Sequence, residues 1–170
     1  MSTLTAVHVA LSFVGIATGM VVLVGLLMRR WLSLWNSAFL ATTALTSATG
    51  FAFPFEQLLP SHVVGALSLV ILALAAFALY VRHLAGGWKR TYVVSAVAAL
   101  YFNVFVLVVQ AFLKVPTLHA LAPTQAEPPF AIAQLAVLLI FAAAGVAAFI
   151  RSKYWTTPSA PAQPSFSRQS

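Results

Sequence analysis

Between residues 4 and 150 the chain reads as five apolar runs separated by short polar breaks. Each run is close to the roughly 20 residues that a helix needs to cross a bilayer. In hydrocarbon every backbone N–H and C=O must be satisfied within the chain, so runs of this length fold as spanning helices. The runs cover about residues 4–28, 32–53, 63–81, 92–113 and 130–150. The expected fold is all-α: one domain over residues 1–155, a polytopic bundle of five transmembrane helices. Composition agrees, with 62% hydrophobic and 6% charged residues, against about 25% charged in a soluble domain. The tail, residues 156–170, TTPSAPAQPSFSRQS, is rich in Pro and Ser and reads as a disordered cytoplasmic segment.

The first run is expected to be retained rather than cleaved as a signal peptide. It lacks a positive leading region and a small-residue cleavage site, and Arg29-Arg30 follows it as a stop-transfer signal. If five helices alternate, Arg29, Arg30, Arg82, Lys89, Arg90, Arg151, Lys153 and Arg168 fall on one side, and only Lys114 on the other. The positive-inside rule makes the first side cytoplasmic, with the N-terminus outside and the C-terminus inside. Trp31, Trp35, Trp88 and Trp155, with Tyr92 and Tyr154, gather at the same inner interface, where amphipathic rings prefer the headgroup level. A pI near 10.7 would suggest nucleic acid in a soluble protein, but basic clusters between apolar runs are cytoplasmic loops, so no nucleic-acid partner is expected. The absence of cysteine excludes disulfides, thiolate metal sites and thiol catalysis.

This topology sorts the polar residues. Both carboxylates, Glu56 and Glu127, fall outside, as do His8, His62, His119 and Lys114; only His83 is inside. His62 and His83 are about 31 Å apart at 1.5 Å per residue and cap opposite faces of the membrane. On the first helix His8, Ser12, Gly15 and Gly19 share one face, and Gly15-x-x-x-Gly19 permits close approach of a neighbour. On the second, Thr42, Thr46, Thr49 and Phe53 share a face, and Pro54 should end or kink the helix. Asn103 lies near mid-membrane on the fourth helix, where its amide needs a partner inside the bundle, with Gln110 and Lys114 further out. The fifth helix adds Gln134 near its outer end and Gly145 for close packing.

Glu56, Asn103, Gln110, Lys114, Glu127 and Gln134 are therefore candidates for a polar outer vestibule, with His8, His62 and His119 as candidate metal ligands. The plainer alternative is a solvated rim with ordinary interhelical hydrogen bonds. Threonine hydroxyls in a span also bond back to carbonyls one turn earlier. The stretch from Lys114 to Pro129, with its four prolines, is expected to be irregular, and Thr124-x-x-Glu127 has capping-box spacing.

The stretches TALTSATGFAFPF and NVFVLVVQAFLKVPTLHALAPTQAEPPFAIAQL resemble a group of small multi-pass membrane proteins from proteobacteria, with the likeness running from the second helix onward. The resemblance implies a bacterial inner membrane and carries no activity, cofactor or site residue.

Three functions remain open. One is a non-enzymatic accessory, assembly or small-solute-handling protein, partnered by the lipid bilayer and by a second copy or another membrane protein, with no cofactor. The second is a redox-linked protein holding a b-type haem between His8 and His62, or a divalent metal on the outer histidines. The third is a channel or transporter for neutral solutes lined by the threonine face, Asn103 and Gln110, since no ionisable group lies near mid-membrane.

Overall fold

The computed structural model describes residues 3–52 and 60–155, with side chains of 60–62 excepted. Six α-helices are present among the described residues: α1 (Thr3–Leu27), α2 (Ser33–Gly50), α3 (Pro60–Ala76), α4 (Trp88–Lys114), α5 (Pro116–Leu121) and α6 (Pro128–Arg151). Four segments are long and apolar enough to cross a membrane: Thr3–Leu27, Val63–Val81, Trp88–Lys114 and Pro128–Tyr154.

The other long helix, α2, has 18 residues and differs in composition, because Asn36, Ser37, Thr42, Thr43, Thr46, Ser47 and Thr49 interrupt its apolar character. Four of these, Asn36, Thr43, Thr46 and Ser47, are buried in the bundle, whereas its exposed large side chains are Leu34, Trp35 and Leu45. Most of its polar groups thus face protein, Ser37 being exposed. The helix starts where α1 ends, with Arg30 N–H donating to Gly25 C=O (2.8 Å). It finishes beside His8, whose Nδ1 lies 2.9 Å from Thr49 Oγ1. It therefore runs antiparallel to α1 along most of that helix.

Helix α1 packs on α2, α2 on α3, α3 on α4, and α4 back on α1, which closes a four-helix ring; α6 lies outside it against α4 and α1. One end carries Arg29, Arg30, Arg82, Lys89, Arg90, Arg151 and Lys153 and is called here the basic end; the other carries His8 and Lys114.

The basic half is the packed one. Leu26, Phe39, Tyr92, Val93 and Leu100 are almost wholly buried, with Leu72, Ala75 and Ala96 around them. Gly19 makes this possible, since a Cβ there would sit 2.6 Å from Leu100 Cδ1 and 2.8 Å from Phe39 Cε2. The Tyr92 hydroxyl donates to Asn36 Oδ1, and Asn36 Nδ2 donates to Leu32 C=O at 2.7 Å. Both polar groups are satisfied inside a low-dielectric core, where an orphan would be costly.

The aromatic belt expected at this end needs correction. Tyr92 and Trp155 are core residues, exposed by 0% and 8%. Tyr92 can be buried because Asn36 Oδ1 accepts its hydrogen bond, and Trp31 sits against both rings, at 5.5 Å from Tyr92 and 6.2 Å from Trp155. Trp35 and Tyr154 do stay exposed. The cations lie on aromatic faces: Arg29 over Tyr154, Arg82 over Trp88 and Arg90 over Phe149, at 5.1–5.4 Å.

The loops supply a second correction. The segment after Lys114 is not wholly irregular, because Val115 turns extended and Pro116 then starts α5. Proline at the first helical position gives up no hydrogen bond there and has its φ already set. Pro128 and Pro129 start α6 in the same way. Helix α2 ends at Gly50, ahead of Pro54, which lies outside the described residues. Helix α3 widens into a π-helical turn over Phe77–Val81. The chain then reverses through left-handed His83 and Leu84, and Leu84 N–H donates to Ala78 C=O at 3.0 Å.

Candidate functional site

Away from the basic end the four-helix ring is hollow. A cavity of about 660 Å³ lies between α1, α2, α3 and α4, within the roughly 300–1,000 Å³ of small-molecule pockets. Its floor is a polar pair: Asn103 Nδ2 donates to Thr43 Oγ1 at 3.1 Å. Gly15 lets α1 lie close over that pair, since a Cβ there would be 3.2 Å from Thr43 Oγ1 and 3.5 Å from Asn103 Nδ2. One turn further, Gly19, Phe39 and Leu100 close the space with side-chain packing.

The walls are mostly apolar, with Phe13 and Ile16 from α1, Val64 from α3, and Phe102, Val106 and Leu107 from α4. Hydroxyls interrupt them at Ser12, Thr46, Ser47 and Ser68. Ser12 Oγ is committed to the His8 carbonyl at 2.8 Å. Thr46 Oγ1 is buried and has no hydrogen-bond partner, so the cavity wall holds one orphan polar atom. A buried hydroxyl left unpaired costs about 1–3 kcal/mol. Nearer the mouth stand His8, Gln110 and Lys114. Thr49 Oγ1 donates its hydrogen back to Leu45 C=O (2.8 Å). The Thr46 carbonyl (3.0 Å) and His8 Nδ1 (2.9 Å) lie within reach of the same hydroxyl.

The expected vestibule residues divide. His8, Asn103, Gln110 and Lys114 line the cavity. Gln134 does not: its Nε2 donates to Phe105 C=O at 3.2 Å, and its Oε1 is buried without a partner at the α4–α6 contact. Glu127 does not either, because its carboxylate closes its own loop. Oε1 accepts from Thr124 N–H (3.2 Å) and Thr124 Oγ1 (2.8 Å), and Oε2 accepts from Ala126 N–H (3.1 Å). This is the Glu half of a capping box, but the helix begins only at Pro128, so the bonds brace a turn rather than a helix end. Residual desolvation opposes ionisation of Glu127, yet the hydrogen bonds from Thr124 and Ala126 outweigh it and hold the carboxyl below its ordinary value.

His119 is exposed on α5 and is not part of the lining. Glu56 and the His62 side chain lie outside the described residues, as does half of the His8–His62 haem pair. Among the described residues no three His, Asp or Glu come together as a metal site. The helix-packing glycines sit at contacts: Gly15 and Gly19 as above, and Gly145 with a Cβ position 3.3 Å from Val97 Cγ1.

Sequence reasoning did not single out Ser68, Thr5 or Phe51, which line the cavity. Ser68 has a weak signal, being the one serine or threonine in the apolar run from Val63 to Val81. The Asn36–Tyr92 pair was also legible in principle, as two polar groups on neighbouring spans at the same depth. No family model matches the chain, and no curated protein or solved structure matches it.

Proposed function

We propose that the chain is a five-pass protein of a bacterial inner membrane, N-terminus outside and C-terminus cytoplasmic, that binds a small, largely apolar solute from the outer side. The course of α2 between the ends of α1 and α3 supports a fifth crossing, since Asn36, Thr43, Thr46 and Ser47 turn into the bundle with Phe39 and Leu40, while Leu34, Trp35 and Leu45 face outward. The basic end supports the orientation, because Lys and Arg collect on the cytoplasmic side of short-looped membrane proteins. The proteobacterial resemblance of TALTSATGFAFPF and its neighbours supports the location.

A single observation carries the functional reading: the cavity runs from His8, Gln110 and exposed Lys114 to Asn103, which is paired with Thr43, and beyond that pair Gly19, Phe39 and Leu100 are closely packed. That form suits a receptor or carrier of a solute better than a pore. The protein would act as a non-enzymatic accessory or solute-handling subunit.

The test is saturable binding of a neutral, environment-sensitive fluorophore such as Nile red to protein in lipid nanodiscs. Ala111, on the cavity wall, is replaced by Trp to fill the space. Saturable binding to the native chain and its loss in Ala111→Trp is the expected result; equal binding to both would refute the site. A C-terminal periplasm-active reporter should stay silent.

A further inference from the structure

We infer that the solute is a single-chain anionic amphiphile, a carboxylate on an unbranched apolar body, with its head at Lys114 and its body against Phe13, Val106 and Leu107. This deepens the binding role proposed above and rests on it.

Charge comes first. Among the described lining residues Lys114 carries the one permanent charge and no carboxylate is present. Lys114 is exposed although it lines the cavity. That is the posture of a side chain whose aliphatic stem follows an apolar wall while the ammonium stays at the rim. A fatty carboxylate has the same requirement, a wet head and a dry body. Docked with its head at the rim it leaves both charges hydrated in part and within reach of each other.

Hydrogen bonding points the same way. Gln110 lies one helical turn below Lys114 on α4 and also lines the cavity. Its amide NH₂ and the three ammonium hydrogens are donors, and an ionised carboxylate is acceptor-only. Charge-assisted bonds of this kind are about twice as strong as neutral ones. A cationic amphiphile would meet Lys114 with like charge. Below the mouth, Phe13, Val106 and Leu107 present an apolar wall with no charged group down to Asn103. The volume of about 660 Å³ is that of a drug-sized pocket, which suits one acyl chain rather than the two of a phospholipid.

The experiment uses a diazirine-bearing twelve-carbon carboxylate as photolabel on the full chain in phosphatidylcholine nanodiscs, with labelled positions read by mass spectrometry. Label is expected in the cavity-facing parts of α1 and α4, competed by excess laurate but not by dodecanol or dodecyltrimethylammonium. Lys114→Gln should lower cavity labelling about tenfold, the scale of one lost charge-assisted bond, while Lys114→Arg retains most of it. Nile red binding, measured on each variant, reports whether the cavity itself survives.

Competition by dodecanol equal to that by laurate, or unchanged labelling in Lys114→Gln with Nile red binding intact, would overturn the anionic assignment and leave the cavity standing. Displacement by phosphatidylglycerol but not by laurate would also overturn it, in favour of a lipid headgroup. Label spread evenly over the outer face of α6, with none in the cavity and no Nile red binding, would end both readings.

Discussion

At Gly19 helix α1 touches the Phe39 ring and Leu100 so closely that a methyl group has no room; about three turns away, at His8, the same helix faces a cavity. The same four helices form both halves, so the difference lies in which side chains reach the axis. In the basic half these are Phe39, Tyr92, Leu26 and Leu100, large and mutually packed. In the other half they include Ser12, Thr46, Ser47, Gly65 and Ser68, too small to meet across the ring. Lipid tails are as apolar as Leu, so helices in a bilayer are held by dispersion, hydrogen bonds and close fit rather than by the hydrophobic effect. The packed half therefore supplies most of the stability, and the hollow half keeps space for an occupant.

The largest test of this contrast truncates a wall in each half. Phe39→Ala should destabilise the purified protein by about 3–5 kcal/mol, the usual range for a buried Phe. Val106→Ala, on the cavity wall, should cost less than about 1 kcal/mol, because the atoms it removes already face a void. Denaturant unfolding in detergent micelles reads both; similar losses would erase the distinction between the halves.

Glycine substitutions come next. Gly19→Ala drives a methyl into Phe39 and Leu100 and should cost about 1–3 kcal/mol, the range for overpacking. Among the described residues Gly50→Ala meets only His8 Cε1, at 3.7 Å, and should be neutral or stabilising by up to about 1 kcal/mol through helix propensity. Thermal melts that moved the same way in both variants would count against the difference in packing.

Smaller again are the polar pairs. Tyr92→Phe leaves Asn36 Oδ1 with no donor in the packed half. It should cost around 1 kcal/mol, between the membrane mean of about 0.6 and the soluble range for an orphaned acceptor. Thr46→Val removes a hydroxyl that already has no partner, and the expected effect is zero or a slight gain. A loss in Thr46→Val comparable to that in Tyr92→Phe would mean that the Thr46 hydroxyl is satisfied by something within the cavity.

The all-helical class and the extent of the four long apolar helices were legible because hydrocarbon enforces them: a run of about 20 apolar residues has one satisfactory backbone solution. Residues 92–113 became Trp88–Lys114 and residues 4–28 became Thr3–Leu27. Direction around the helix was also legible where small and polar residues recur at helical spacing, so His8, Gly15 and Gly19 do share a face. Azimuth between helices was not. Gln134 and Asn103 look alike in sequence, each a lone amide in an apolar run. Only the position of α6 outside the ring sends Gln134 to the Phe105 carbonyl rather than into the cavity. Tyr92 was misplaced for a related reason, since an aromatic near a helix end reads as a belt residue unless its buried partner, Asn36, is known.

The smallest expected effect concerns the turn that leads into α6. Glu127 is braced by Thr124 and Ala126 and touches neither half of the bundle core. Those bonds favour the ionised carboxylate, so its folded pKa lies below the reference value of 4.5. A depressed carboxyl pKa contributes stability that is fully present above the unfolded value and is lost as pH falls through the folded one. Loosening of the turn should therefore begin only when pH drops below about 4.5. Hydrogen exchange at the Thr124 and Ala126 amides should speed up in acid relative to the intrinsic rate, while Leu100 and Tyr92 in the packed half stay protected. Glu127→Gln should show the faster exchange already at neutral pH and lose the acid dependence. If acid instead released the packed half together with the turn, the two ends would be one cooperative unit, and the separation of a rigid half from an adaptable one would fail.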